Sequence, residues 1–177
     1  MPEGARLPVD WLDAAVELLA RTGTRGTMIV RGTSMEPTLS PGGVIEVDFS
    51  ASSLQPGDLL VFRQAEFIVV HRLVHARRGG MLRTQGDGCP DPDPPVARES
   101  VLGRVTAFER SPGVRLSLDG ASARRHARRI ARGLRVSAFV IRCASITDTL
   151  FGKIGIRPGL RTRLTTAQRA ALRLTQP

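Results

Sequence analysis

The chain has no tyrosine, one tryptophan and six phenylalanines among its 177 residues. With so few aromatic rings, its core has to be built mainly from Val, Leu, Ile and Ala. Cysteine is scarce too: Cys89 and Cys143 stand far apart. That excludes a disulfide scaffold and a CxxC metal knuckle, and the expectation is two thiols in a reducing compartment. No apolar run approaches the roughly 20 residues that span a bilayer. The stretch Met1 to Arg6 lacks the apolar region of a secretory signal,. The expected location is therefore cytoplasmic. Lys153 is the only lysine, so no mechanism within residues 1–150 can use one.

The composition is otherwise that of a globular protein, with 41% hydrophobic and 24% charged residues,. The length fits one compact domain with an appendage. The net charge of +10 is unevenly placed. Residues 1–120 sum to −2 and residues 121–177 to +12. Such an arm suits an anionic surface, and peripheral contact with an anionic membrane is the expected use; the bland alternative is a solvated Arg-rich helix. No stacking aromatics are interleaved with the arginines, so nucleic acid is not expected as a partner.

Hydrophobic periodicity divides the chain into three parts. In residues 1–25, Trp11, Leu12, Ala15, Val16 and Leu19 form one apolar stripe. This predicts an amphipathic helix over Asp10–Arg21, bounded by Pro8 and Gly23. Residues 26–120 contain short β-type runs separated by Gly/Pro turns: Thr27–Arg31, Val44–Phe49, Leu59–Arg63, Phe67–Val74, Met81–Thr84, Val101–Glu109 and Val114–Leu118,. Many short strands at this spacing predict a mainly β sandwich or coiled barrel rather than a βαβ sheet. Residues 121–177 form a basic helical extension. Within it, Ala121–Arg142 reads as one or two helices interrupted near Gly133. Phe151–Arg163 reads as loop, and Thr165–Leu174 as a terminal helix.

Three segments carry the residue types of nucleophilic catalysis. In Gly32-Thr33-Ser34-Met35-Glu36-Pro37-Thr38-Leu39, a strand runs into a turn that would expose a serine hydroxyl. In Val69-Val70-His71-Arg72-Leu73, His71 can accept a hydroxyl proton near neutral pH. Alternation places it on one strand face with Val69, Leu73 and His75, opposite Ile68, Val70, Arg72 and Val74. The loop Gly86-Asp87-Gly88-Cys89-Pro90-Asp91-Pro92-Asp93 holds three carboxylates. One of them could orient the imidazole. The acids could equally cap turns or take up a hard cation such as calcium, although the spacing is not that of a helix–loop–helix site. No metal and no cofactor is expected.

In order, these segments resemble the boxes of type I signal peptidases and the related LexA-like serine peptidases. Pro56-Gly57-Asp58-Leu59-Leu60-Val61-Phe62 and Val101-Leu102-Gly103-Arg104-Val105 complete the resemblance, which covers about residues 27–109. It implies a coiled, mostly antiparallel β-barrel-like domain and a serine endopeptidase acting on a peptide or protein precursor. The histidine at position 71 is similar to that of endoplasmic-reticulum and archaeal signal peptidases, where bacterial ones use lysine. The resemblance implies Ser34 as nucleophile, His71 as general base and Asp93 as its carboxylate partner. Asp87 is then structural or a second partner, and Asp91 the weakest of the three. Thr33, Met35 and Pro37 flank the nucleophile and would serve substrate binding or the oxyanion.

The chain also departs from the pattern. Gly32 removes a hydroxyl from the oxyanion region, Gly88 replaces the usual Asn after the Gly-Asp pair, and no anchor span is present. These departures motivate the alternative of an inactive peptidase fold that clamps a precursor or partner.

Overall fold

The computed structural model describes residues 9–77, 79–111 and 113–151. Helix α1 spans Val9–Thr22. Seven strands follow the alternating runs: β1 (Arg25–Ile29), β2 (Val44–Asp48), β3 (Leu59–Gln64), β4 (Phe67–Ala76), β5 (Met81–Gln85), β7 (Val101–Ser111) and β8 (Val114–Ser117). The two-residue β6 (Val96–Ala97) precedes a single 3-10 turn at Arg98–Ser100. Helix α2 runs from Ala121 to Phe151. The terminal helix expected at Thr165–Leu174 lies outside the described residues. So does the loop expected from Phe151 onward, save Phe151 itself, which ends α2.

All eight strands join one antiparallel sheet in the order β1-β2-β7-β3-β4-β5-β6, with β8 beside β7. The expected barrel does not close, because β1 and β6 end the path without pairing to each other. Long β7 organises the sheet. One edge pairs with β2, while the other pairs first with β3 and then with β8. Irregularities of register occur at Glu46/Val47 and Val61/Phe62. Such bulges bend strands and increase twist, which lets the sheet curl over two apolar clusters.

Strand β3 is buried on both faces. Leu59 and Val61 join Val16, Met35, Leu39, Ile45 and Phe108 in one cluster. Leu60 and Phe62 join Leu73, Leu82 and Val96 in the other. Each fully buried side chain of this size contributes about 1.5–3 kcal/mol relative to exposure. The helix stripe supplies Val16 to the first cluster. Asp13 and Glu17 on α1 pair with Arg63 of β3, fixing the helix across the sheet. Val74 of β4 packs against Ile130 and Leu134 of α2. That contact brackets Gly133, and the expected interruption there does not occur. A helical glycine costs about 1 kcal/mol relative to alanine, less than its two buried neighbours contribute.

Candidate active site

The site lies where the β1–β2 loop meets β4 and the β5–β6 loop. Ser34 sits in the turn after β1, which contains a cis Glu36–Pro37 peptide. The turn is tied internally by Glu36 N–H to Thr33 O (3.0 Å) and Leu39 N–H to Met35 O (3.0 Å). It is clamped to the β5–β6 loop by the Gly88 N–H, which donates to the Ser34 carbonyl at 2.8 Å.

His71 lies mid-strand on β4, paired in register with Leu60 of β3. It is 7% exposed. The Phe62 ring meets its imidazole edge to face, with centroids 6.2 Å apart, an arrangement that limits ring rotation. Asp93 reaches the other side of the ring from the β5–β6 loop. Its backbone N–H donates to Thr84 O at 3.0 Å, and its Oδ2 accepts the Thr84 hydroxyl at 2.7 Å.

These three side chains form one relay. Asp93 Oδ2 is 2.8 Å from His71 Nδ1, and His71 Nε2 is 3.0 Å from Ser34 Oγ. A carboxylate only accepts, so Nδ1 donates its proton to Asp93. That leaves the Nε2 lone pair facing the serine hydroxyl, the orientation a general base requires.

Asp87 goes elsewhere. Its two oxygens accept a fork from Arg72, Nε to Oδ1 at 2.8 Å and Nη2 to Oδ2 at 2.6 Å. The Thr38 hydroxyl also donates to Oδ2, and Arg72 Nη1 donates to Gly57 O at 2.8 Å. Arg72 and Asp87 are 2% and 1% exposed. Asp87 therefore does not partner His71; it neutralises Arg72, the buried arginine that follows His71 in sequence. Asp91 is exposed. Asp87 and Asp93 are thus committed to different partners, Arg72 and His71. Among the described residues, no group of three His, Cys, Asp or Glu side chains is placed to hold a metal ion.

Met35 is 2% exposed and belongs to the main core, so the turn sends its side chain inward. Thr33 is exposed and Pro37 half-buried beside Ser34. Three contributors escaped the sequence reading: Arg72, Thr38 and Thr84. Arg72 carried a signal, since a lone charge inside the apolar run Phe67–Val74 must find a buried partner. Thr84 and Thr38 carried none.

Gly86 is required here by close approach. A Cβ at this position would lie 2.6 Å from Ser34 O, 2.8 Å from Cys89 Sγ and 3.0 Å from His71 Nε2. Backbone on one side and the imidazole on the other leave little room to yield. Gly86→Ala is expected to shift the Ser34 turn by a fraction of an ångström or more. Reactivity of Ser34 should then fall by about 10²-fold, as misplacement of reacting groups does elsewhere. The rate of labelling by a phosphonylating probe measures this, and a rate within twofold of the parent would refute it.

In comparisons with known proteins, no family model matches the chain and no curated protein matches it.

Proposed function

We propose that the chain is a serine endopeptidase of the signal-peptidase-like type, acting on a peptide or protein precursor. The observation that carries this reading is the unbroken relay from Ser34 Oγ through His71 to Asp93. Ser34 Oγ attacks the scissile carbonyl as His71 Nε2 takes its proton. The resulting imidazolium is held by Asp93, and its proton passes to the leaving amine. Water, activated by the same imidazole, then releases the acyl group. The Ser34 N–H is the oxyanion donor available at this turn. Gly32 adds no hydroxyl, and one missing donor costs on the order of 10²–10³ in rate.

Substrate access is supported by the sheet edge. Among the described residues β1 pairs with β2 alone, which leaves its outer edge without a strand partner there, and it leads directly to the Ser34 turn. Ile29 on this strand is 65% exposed. An extended peptide added along β1 would bring its carbonyls towards the nucleophile. In this reading the curled open sheet corresponds to the coiled β-domain of signal peptidases and LexA-like peptidases. No described helix is long and apolar enough to cross a membrane. The exposed arginines of α2, among them Arg125, Arg129 and Arg132, suit peripheral contact with an anionic membrane instead.

A fluorophosphonate probe tests the reading. It is expected to form one covalent adduct, on Ser34, and none with Ser34→Ala. A folded chain that stays unlabelled would favour the inactive clamp, and equal labelling of Ser34→Ala would remove Ser34 as nucleophile.

A further inference from the structure

A second concave site lies between the first turns of α2 and the sheet. It is a cleft of about 690 Å³, within the range of about 300–1,000 Å³ typical of small-molecule sites. Thr38 and Arg72 line it, but Ser34 and His71 do not. Its floor is apolar, from buried Leu39, Phe108 and Ile130, and its walls include Leu116, Leu118 and Ala123.

Gly57 presses its backbone onto α2, and a Cβ there would lie 2.8 Å from Ala127 C and 2.9 Å from Arg128 N.

The charge on the cleft has one prevailing sign. Besides Arg72, which Asp87 neutralises, its lining carries Arg104, Arg110, Arg124 and Arg128 against Asp58 alone. Asp119 nearby answers Arg104 and Arg124 together. Arg110 and Arg124 are exposed and stand at the mouth of the cleft, while Arg128, also exposed, donates to Gln55 Oε1 beside Gly57. The chain's own continuation is a poor occupant. Residues 152–177 carry six Lys and Arg and no Asp or Glu, and so would be repelled by the same arginines.

We propose that this cleft binds a single-chain amphiphile with an anionic head, a long-chain fatty acid or an alkyl phosphate. The alkyl chain lies on the Leu39–Phe108–Ile130 floor, and the head meets the arginines at the mouth. Burial of the chain supplies affinity in proportion to the apolar area removed from water. The guanidinium groups select the charged head, since they match carboxylate and phosphate geometry.

The test uses the full chain and a dansyl-labelled undecanoic acid below its micelle concentration. Saturable one-to-one fluorescence enhancement is expected. Palmitate or hexadecyl phosphate should displace the probe, and the stronger of the two identifies the preferred head. Hexadecanol should not displace it.

Ala123→Phe fills the cleft from a half-buried helix position and should abolish binding without altering the circular dichroism spectrum. Joint Arg110→Ala and Arg124→Ala replacement should weaken binding by roughly tenfold, the effect of one or two solvent-shared charge contacts. Ser34→Ala should bind as the parent does, which separates this site from the catalytic reading. Absence of saturable binding, equal displacement by hexadecanol, or parental affinity in Ala123→Phe would overturn the proposal. So would displacement by an acidic apolar peptide where palmitate fails.

Discussion

His71→Ala is expected to lower peptide-bond turnover by on the order of 10⁶-fold, and adding Ser34→Ala to it should lower turnover no further. The reason lies in how the relay is built. Nε2 stands 3.0 Å from Ser34 Oγ. Without that lone pair the hydroxyl keeps its proton and is a weak nucleophile near neutral pH. In the proposed mechanism the two residues act as one unit, so the loss would be taken once.

Asp93→Asn should cost less, about 10⁴-fold, and for a different reason. The amide would present N–H to His71 Nδ1 and favour the opposite tautomer. Nε2 would then carry a hydrogen towards Ser34 Oγ and could not accept one. Thr84 still donates to position 93 from 2.7 Å, so the side chain should stay in place while its chemistry changes. Turnover on a substrate selected from a peptide library provides the measurement. Additive losses in the double variant, or turnover by Asp93→Asn within tenfold of the parent, would show that the three groups do not act together.

Much of this arrangement was legible in the sequence, and the gaps have physical causes. Seven of the eight strands follow the alternation of apolar residues between Gly/Pro breakers. β6 is two residues long, too short to show a period. Closure of the sheet was not legible, because strand order and end pairing depend on contacts between distant segments. Ser34 and His71 stood out because few residue types can attack a carbonyl or accept a hydroxyl proton.

Choosing among Asp87, Asp91 and Asp93 was another matter. Strand alternation puts Arg72 and His71 on opposite faces of β4, and the buried guanidinium requires a carboxylate of its own. Asp87 meets that need and Asp93 is left to the imidazole. The alternation expected to carry His75 onto the face of His71 is interrupted by a bulge between Leu73 and His75. The burial of Met35 was not legible, because it depends on how the Ser34 turn directs its side chain into the core.

The Arg72–Asp87 pair carries the largest expected effect on stability. Both side chains are almost wholly enclosed, at 3% and 0% exposure. They share a two-bond fork, with further bonds to Gly57 O and from Thr38 Oγ1. Removing one partner leaves the other charged, dry and unpaired, which costs roughly 3–5 kcal/mol. A domain of this size has a total stability of about 5–15 kcal/mol.

Asp87→Ala is therefore expected to lower the denaturant midpoint severely, and Arg72→Met similarly. Replacing both at once, Arg72→Met with Asp87→Leu, removes the buried charges together and should be markedly less destabilising than either change alone. Urea unfolding followed by circular dichroism measures all three. The double variant also bears on the site, because Thr38 and Gly57 would lose bonds while Ser34, His71 and Asp93 would keep theirs. It should retain reactivity towards a fluorophosphonate at the temperature where it remains folded. If the single replacements cost less than about 1 kcal/mol, a surface-like value, the pair would be solvated and the Ser34 turn would owe its position to something else.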